Sequence, residues 1–461
     1  MEYIIRNAQI VNEGLRFYGD VHIKNQRIER IANIIENTSN IKEINAEGLT
    51  LLPGVIDDQV HFREPGLTQK ANIYTEAKAA VAGGVTSYME MPNTKPPALT
   101  HQLLEDKYAI GKANSLANYS FYMGTSNDNL EDILEANRHK NDIAGVKIFM
   151  GSSTGNMLVD DPKILEKVFA GCEMLIATHC EEQSIIQENY KRIFAERNGH
   201  LRPEDHPLIR DAANCYASSS KAIALAKQHG TRLHILHITD ALELSQFTNT
   251  IPLKDKKITS EVCVHHLTYS DADYLTKGYQ IKCNPAVKTT EDRAALWDAL
   301  LDDRIDVIAT DHAPHLLSEK GYQRNGNGQL ELLADANYDN AAAGLPLIQH
   351  SLPLMLKYVK EGKITLEKVV EKMSHAVADC FQIKDRGYIR EGYFADLVLV
   401  DLNKPSTVTP ENILYKCAWS PLEGTTFPAS VQYTFVSGHL VYGNGQFDES
   451  IKGEKLQYDR N

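Results

Sequence analysis

The chain has 461 residues, of which 43% are hydrophobic and 24% charged, with a formal net charge of −13. That is an ordinary composition for a folded, water-soluble protein, and the negative balance argues against a nucleic-acid-binding surface. No apolar stretch approaches the roughly 20 residues of a membrane span, and the start, Met1 to Arg6, lacks a signal-peptide pattern. The seven cysteines are scattered without CxxC spacing, so neither a disulfide framework nor a cysteine zinc site is indicated, and a reducing cytoplasm fits best.

Residues up to about 52 read as short alternating strands, as in Tyr3-Ile4-Ile5-Arg6 and Val21-His22-Ile23-Lys24. The tail resumes that pattern in Ala395 to Asp401 and Val431 to Val436, so residues 1–52 and 386–461 are expected to pair into one small β-domain. Between them, over residues 53–385, apolar runs alternate with helical stretches such as Tyr74 to Ala82. This order predicts a parallel α/β architecture, with ample length for a (β/α)8 barrel of about 250 residues.

The run from Leu51 to Ile56 reads as a short buried strand, followed by Asp57-Asp58-Gln59-Val60-His61-Phe62-Arg63. His61 and Arg63 are two residues apart and would face the same way on a strand, placing a metal ligand beside an anion-binding guanidinium. Four later runs share this layout. Gly145 to Met150 carries Lys147, Met174 to His179 ends in a histidine, Leu233 to His237 ends in another, and Asp306 to His315 supplies Asp311, His312 and His315. If these strands are parallel and close into a barrel, their carboxyl ends meet at the face where such folds carry their active sites.

Taken singly, each residue has a plainer reading. Asp311 could cap the next helix, Lys147 could snorkel to water, and His234, His265 and His312 include histidines that serve only as hydrogen-bonded structural residues. The recurrence of the same residue types at the same place in successive units favours a metal site. Lys147, between Val146 and Ile148, must lose its proton, find a carboxylate, or be chemically altered, because burying an ammonium is costly. Reaction with carbon dioxide would turn it into a carbamate whose two oxygens could bridge two divalent metals about 3.5 to 4 Å apart. The sequence leaves both the carbamate and the buried ion pair open.

Taken together, the His61 to Gly66 stretch (HFREPG), Met91-Pro92-Asn93-Thr94, the Lys147 strand, His179, His237 and the Asp311 to His315 run resemble the dihydroorotases of the amidohydrolase superfamily, over nearly the whole chain. The resemblance implies a (β/α)8 barrel with a small β-sandwich domain built from both chain ends. It also implies one or two zinc ions per chain. His61, Lys147 as its carbamate and Asp311 would hold one metal; the carbamate, His179 and His237 would hold the other. Arg63, Asn93 and His315 would bind the substrate carboxylate, with Asn284 near its ring. Asp311 would act as general base and then general acid in the reversible cyclisation of N-carbamoyl-L-aspartate to L-dihydroorotate.

One residue departs from the pattern. The family's metal motif usually begins His-x-His, whereas this chain has Gln59-Val60-His61. A glutamine carbonyl is a weaker zinc donor than imidazole, so Gln59 either ligates weakly or merely fills the vacated space. Two other readings stay in play: another cyclic amidase of the allantoinase or hydantoinase type, which usually lacks an arginine at the Arg63 position, and a silent scaffold supporting aspartate carbamoyltransferase. Superfamily relatives often form dimers, although nothing in the sequence marks an interface. The Gly- and Asn-rich stretch from Lys320 to Pro346 reads as a flap over the substrate or, in its first half, as a plain exposed loop.

Overall fold

The apolar run from Leu51 to Ile56 forms two strands, not one, because the chain changes sheets at Gly54 in the computed structural model. The structure describes residues 2–151, 157–159 and 161–460. Thr50–Pro53 pairs antiparallel with Leu397–Asp401, whereas Val55–Val60, here β1, begins a parallel arrangement. Gly54 permits the crossing by its size: a Cβ there would lie 2.1 Å from Thr86 Oγ1.

The sheet on the near side of Gly54 has nine strands drawn from both ends of the chain. Glu2–Asn12, Leu15–Lys24, Arg27–Ala32, Lys42–Asn45 and Thr50–Pro53 come from the first part. Leu397–Asp401, Ser430–Val436, His439–Gly443 and Gln446–Phe447 come from the last. The expected pairing of the two ends is therefore present, with Leu51 opposite Leu399. Ile5, Ile10, Val21, Ile23, Leu397 and Phe435 fill its core.

Beyond Gly54, β1 is followed by β2 (Val85–Glu90), β3 (Asn118–Phe121), β4 (Val146–Phe149), β5 (Ile176–His179), β6 (Leu233–Ile235), β7 (Ile258–Cys263) and β8 (Val307–Ala309). All neighbouring pairs among them are parallel. With helices covering the outside, strands of this kind are buried on both faces and read as continuous apolar runs, which is why β1, β2, β4 and β5 are buried along their whole length. The connecting helix Ile73–Ala82 starts where Asn72 and Thr75 form a reciprocal cap.

The parallel strands fall into two sheets of three and six strands that meet at two seams. At one, Met123–Gly124 extends β3 past Tyr122 and pairs with β4. At the other, Val60 bridges His312, the His61 amide donates to the His312 carbonyl at 2.7 Å, and Thr310 Oγ1 donates to Asp57 at 2.6 Å. The result is a TIM-like α/β arrangement, its interior packed by Ile56, Met89, Tyr122, Ala177, Val307 and Phe381. Among the described residues no helix is long and apolar enough to cross a membrane.

The stretch after Asp311 divides in two. Its first half is a hairpin of Tyr322–Arg324 and Leu330–Leu332, largely solvent-facing as the loop reading expects, while Ala342, Ala343 and Gly344 line the cavity at the strand ends.

Replacing Gly54 with alanine forces Cβ into the Thr86 side chain, which is part of a buried strand and cannot swing away. The substitution should lower stability by about 1–3 kcal/mol, read as a fall in the urea midpoint with an unchanged slope.

Candidate active site

All ten residues singled out from the sequence line one cavity of about 440 Å³ at the carboxyl ends of the parallel strands: Gln59, His61, Arg63, Asn93, Lys147, His179, His237, Asn284, Asp311 and His315. The route by which some of them arrive differs from the expected one. Arg63 lies beyond β1 with φ +67°, so a left-handed turn, and not strand alternation, brings it to the same cavity as His61. His237 and Asp311 likewise follow their strands with φ +41° and +46°. Non-glycine residues seldom adopt such angles, and when the surroundings enforce them the conformation tends to be functional.

The donor atoms form two pairs. His61 Nε2 lies 3.1 Å from Asp311 Oδ1, which also accepts from Gln59 Nε2 at 3.2 Å. His179 Nδ1 lies 3.0 Å from His237 Nε2. The opposite ring nitrogens of His61 and His179 are occupied: His61 Nδ1 by Asn93 Oδ1 at 2.9 Å, and His179 Nε2 by Glu181 at 2.9 Å, itself gripped by Arg210. A ring N–H given to an acceptor leaves the other nitrogen's lone pair free, the usual support for a metal-bound imidazole.

Lys147 sits between the pairs. Its charge acts on His61, His179, His237 and Asp311 alike. It is 1% exposed, and among the described residues Nζ has no hydrogen-bond or ion-pair partner, only the Phe149 ring at 4.5 Å. Burial pushes its pKa down to about 7, although Asp311 and Glu261 pull the other way. Burial also holds the His61, His179 and His237 pKa values below that of a free imidazole, keeping the rings in the neutral form that binds metal. The Asp311 carboxyl is raised by burial, but His61, His265 and Lys147 bring it below the usual aspartate value.

These residues fit a divalent metal. Two imidazole nitrogens 3.0 Å apart are close to the ~3.3 Å ligand edge of tetrahedral zinc with bonds of about 2.0–2.1 Å. Neutral rings, a carboxylate and a near-neutral amine are donors of the right kind.

The anion-binding side is also assembled. Arg63 Nε donates to the Pro314 carbonyl at 3.1 Å and Nη2 lies 3.2 Å from His315 Nε2. Lys70 is 3.1 Å from His315 Nδ1 and 2.9 Å from Glu319. Lys70, Glu181, Arg210 and Glu319 were not anticipated. Only Glu181 had a sequence signal, its position two residues after a strand-end histidine. His312 takes the structural role allowed for it, with Nε2 on Glu76 at 2.8 Å and Nδ1 accepting from the Leu347 amide at 2.9 Å.

Residues 50–441 match the profile of the amidohydrolase family, and the chain belongs to that family. Among similar sequences are a dihydroorotase of Listeria innocua, 32% identical over 96% of this chain and 99% of that protein, and a dihydroorotase of Pyrococcus furiosus, 30% identical over 89% and 86%. Among solved structures, an L-hydantoinase (dihydropyrimidinase) from Arthrobacter aurescens superposes with a TM-score of 0.88 at 24% identity, covering 97% of both chains. A dihydropyrimidinase from Brevibacillus agri does so at 0.85 and 24%, covering 100% of both. At that identity the two structures share the fold with this chain.

The depressed Lys147 pKa has a stability consequence. Unfolded, the amine holds its proton up to about 10.5; folded, it holds it only up to about 7. Between those values the unfolded state binds more protons, so metal-free protein should gain stability as pH rises from 7 towards 10. Lys147→Met should flatten that rise, as measured by urea unfolding at several pH values.

Proposed function

We propose that this protein is a dihydroorotase, a metal-dependent cyclic amide hydrolase interconverting N-carbamoyl-L-aspartate and L-dihydroorotate in pyrimidine biosynthesis. The observation that carries the reading is the guanidinium of Arg63 beside Asn93 and His315 at the cavity that also holds the metal donors. A planar, permanently charged fork suits a carboxylate, and a neutral hydantoin or dihydropyrimidine ring has none. The two similar dihydroorotases, matched over most of their length, support the same assignment.

In this reading His61, Asp311 and Lys147 as its carbamate would hold one zinc or similar ion, and the carbamate, His179 and His237 would hold the other, with Gln59 either a weak further donor or a filler of the vacated space. Bound metal would lower the pKa of water to about 7 and polarise the ring carbonyl. The neutral fraction of Lys147 at physiological pH makes the amine available to carbon dioxide. Arg63, Asn93 and His315 would fix the carboxylate, with Asn284 near the ring. Asp311, held ionised, takes the proton of the attacking water at its carboxylate and delivers it to the departing ring nitrogen; the same groups run in reverse for cyclisation. Closure of the two parallel sheets into a single (β/α)8 barrel over residues 53–385, with a β-sandwich-type domain from 1–52 and 386–461, belongs to this proposal. So do a homodimer and a cytoplasmic setting, the latter supported by seven free, buried cysteines.

Gln59 favours a second reading, a silent barrel that supports aspartate carbamoyltransferase. The retained donors His61, Lys147, His179, His237 and Asp311 weigh against it.

The deciding assay compares dihydroorotate with dihydrouracil and hydantoin, alongside metal analysis. Dihydroorotate should be the preferred substrate; preference for the neutral rings would overturn the assignment, and no turnover of any ring by metal-replete protein would leave the scaffold. Asp311→Asn should reduce kcat by about 10²–10⁴-fold while leaving the circular dichroism spectrum unchanged. Gln59→His, which restores the missing imidazole, should raise the metal retained after dialysis against a chelator.

A further inference from the structure

Beneath the cavity, inside the ring of strands, Asp58 of β1, His234 of β6 and Glu261 of β7 meet with no exposure to solvent. Glu261 connects the two levels: its Oε1 accepts from the His237 amide at 3.1 Å and lies 3.6 Å from Cys263 Sγ, itself 3.9 Å from Gln59 Oε1. His234 Nε2 is 3.3 Å from Asp58 Oδ2 and 3.4 Å from Glu261 Oε2. Yet Nε2, both Asp58 carboxylate oxygens and Glu261 Oε2 have no hydrogen-bond partner. Four orphaned polar atoms converging at one buried point would be a heavy desolvation cost if nothing joined them.

We propose that Asp58, His234 and Glu261 form a further metal site for a divalent transition-metal ion, distinct from the donors lining the catalytic cavity. Three observations carry it. The His234 tautomer is set by its far side: Nδ1 lies 2.8 Å from Thr259 Oγ1, whose own hydroxyl donates to the Leu233 carbonyl, so Nδ1–H is the donor. Nε2 therefore faces the two carboxylates; burial lowers the ring's pKa but Asp58 and Glu261 raise it to about 9, so without metal a proton on Nε2 sits between them, and a divalent ion would take that proton's place. The separations of 3.3 and 3.4 Å are long for hydrogen bonds but equal the ~3.3–3.4 Å ligand edges of a tetrahedral ion bound at about 2.0–2.2 Å. Charge also balances: two carboxylates, a neutral imidazole and a divalent cation sum to zero in a space water does not reach.

Both oxygens of Asp58 are unpartnered, so it can supply two donors and bring the set to four. One imidazole with carboxylate oxygens selects zinc, manganese or iron over magnesium or calcium. The neighbouring Cys215–Asp240–Glu243 group is different in kind, because Lys288 already brings a positive charge to it, 3.4 Å from Cys215 Sγ and 3.9 Å from Asp240.

The test is anomalous diffraction from crystals of the full chain loaded separately with Zn²⁺ and Mn²⁺, with metal content measured on the same preparations. A peak bonded to Asp58, His234 and Glu261 is expected, resolved from any peak at His61, His179, His237 and Asp311. Asp58→Asn should lose one ion per chain relative to wild type. Peaks in the cavity with none among the three core residues would overturn the proposal, as would equal metal content in wild type and Asp58→Asn, or ring nitrogen shifts showing His234 doubly protonated in the loaded protein. A core peak without cavity peaks would uphold this site while removing the catalytic metal reading. If Asp58→Asn does not fold, the wild-type maps decide.

Discussion

The structure depends on the seam between the first and last parallel strands. Val60 bridges His312, the His61 amide bonds the His312 carbonyl, and Thr310 clasps Asp57. These contacts join residues about 250 positions apart and are the ones that set His61 and Gln59 against Asp311. Joining the two parallel sheets at this seam and setting Asp311 against His61 and Gln59 are thus a single structural event.

A second constraint is electrostatic. The parallel sheets enclose ionisable groups whose burial is unfavourable unless they change protonation state or find a counter-charge. Lys147 does the former, losing most of its preference for the charged form. The cavity histidines stay neutral for the same reason and so remain available as ligands. Asp311 stays ionised because His61, His265 and Lys147 outweigh its desolvation. These different protonation preferences follow from one low-dielectric pocket acting on different groups.

Much of the site was legible in the sequence because parallel strands buried on both faces end abruptly in polar residues. His179, His237 and Asp311 announce themselves in that way and Lys147 as a charge inside an apolar run, and parallel strands bring such ends together whatever their separation along the chain. The pairing of the two chain ends was legible from alternation. Three features were not. The sheet change at Gly54 occurs inside an apolar run whose two halves have the same character, so hydropathy carries no sign of the break. The turns at Arg63, His237 and Asp311 depend on tertiary contacts, not on turn-forming residue types. Lys70, Arg210 and Glu319 are ordinary surface-type residues in sequence, and only folding shows that with Glu181 they brace His315 and His179.

The positive φ angles at Arg63, His237 and Asp311 mean that three side chains of the proposed site occupy backbone positions better suited to glycine or asparagine. Each such placement costs of order 1 kcal/mol or more, borne by the rigid framework around it. Selection for a hardier molecule would push these positions towards residues without the needed functional groups, so the catalytic face sets a ceiling on how robust this protein can become.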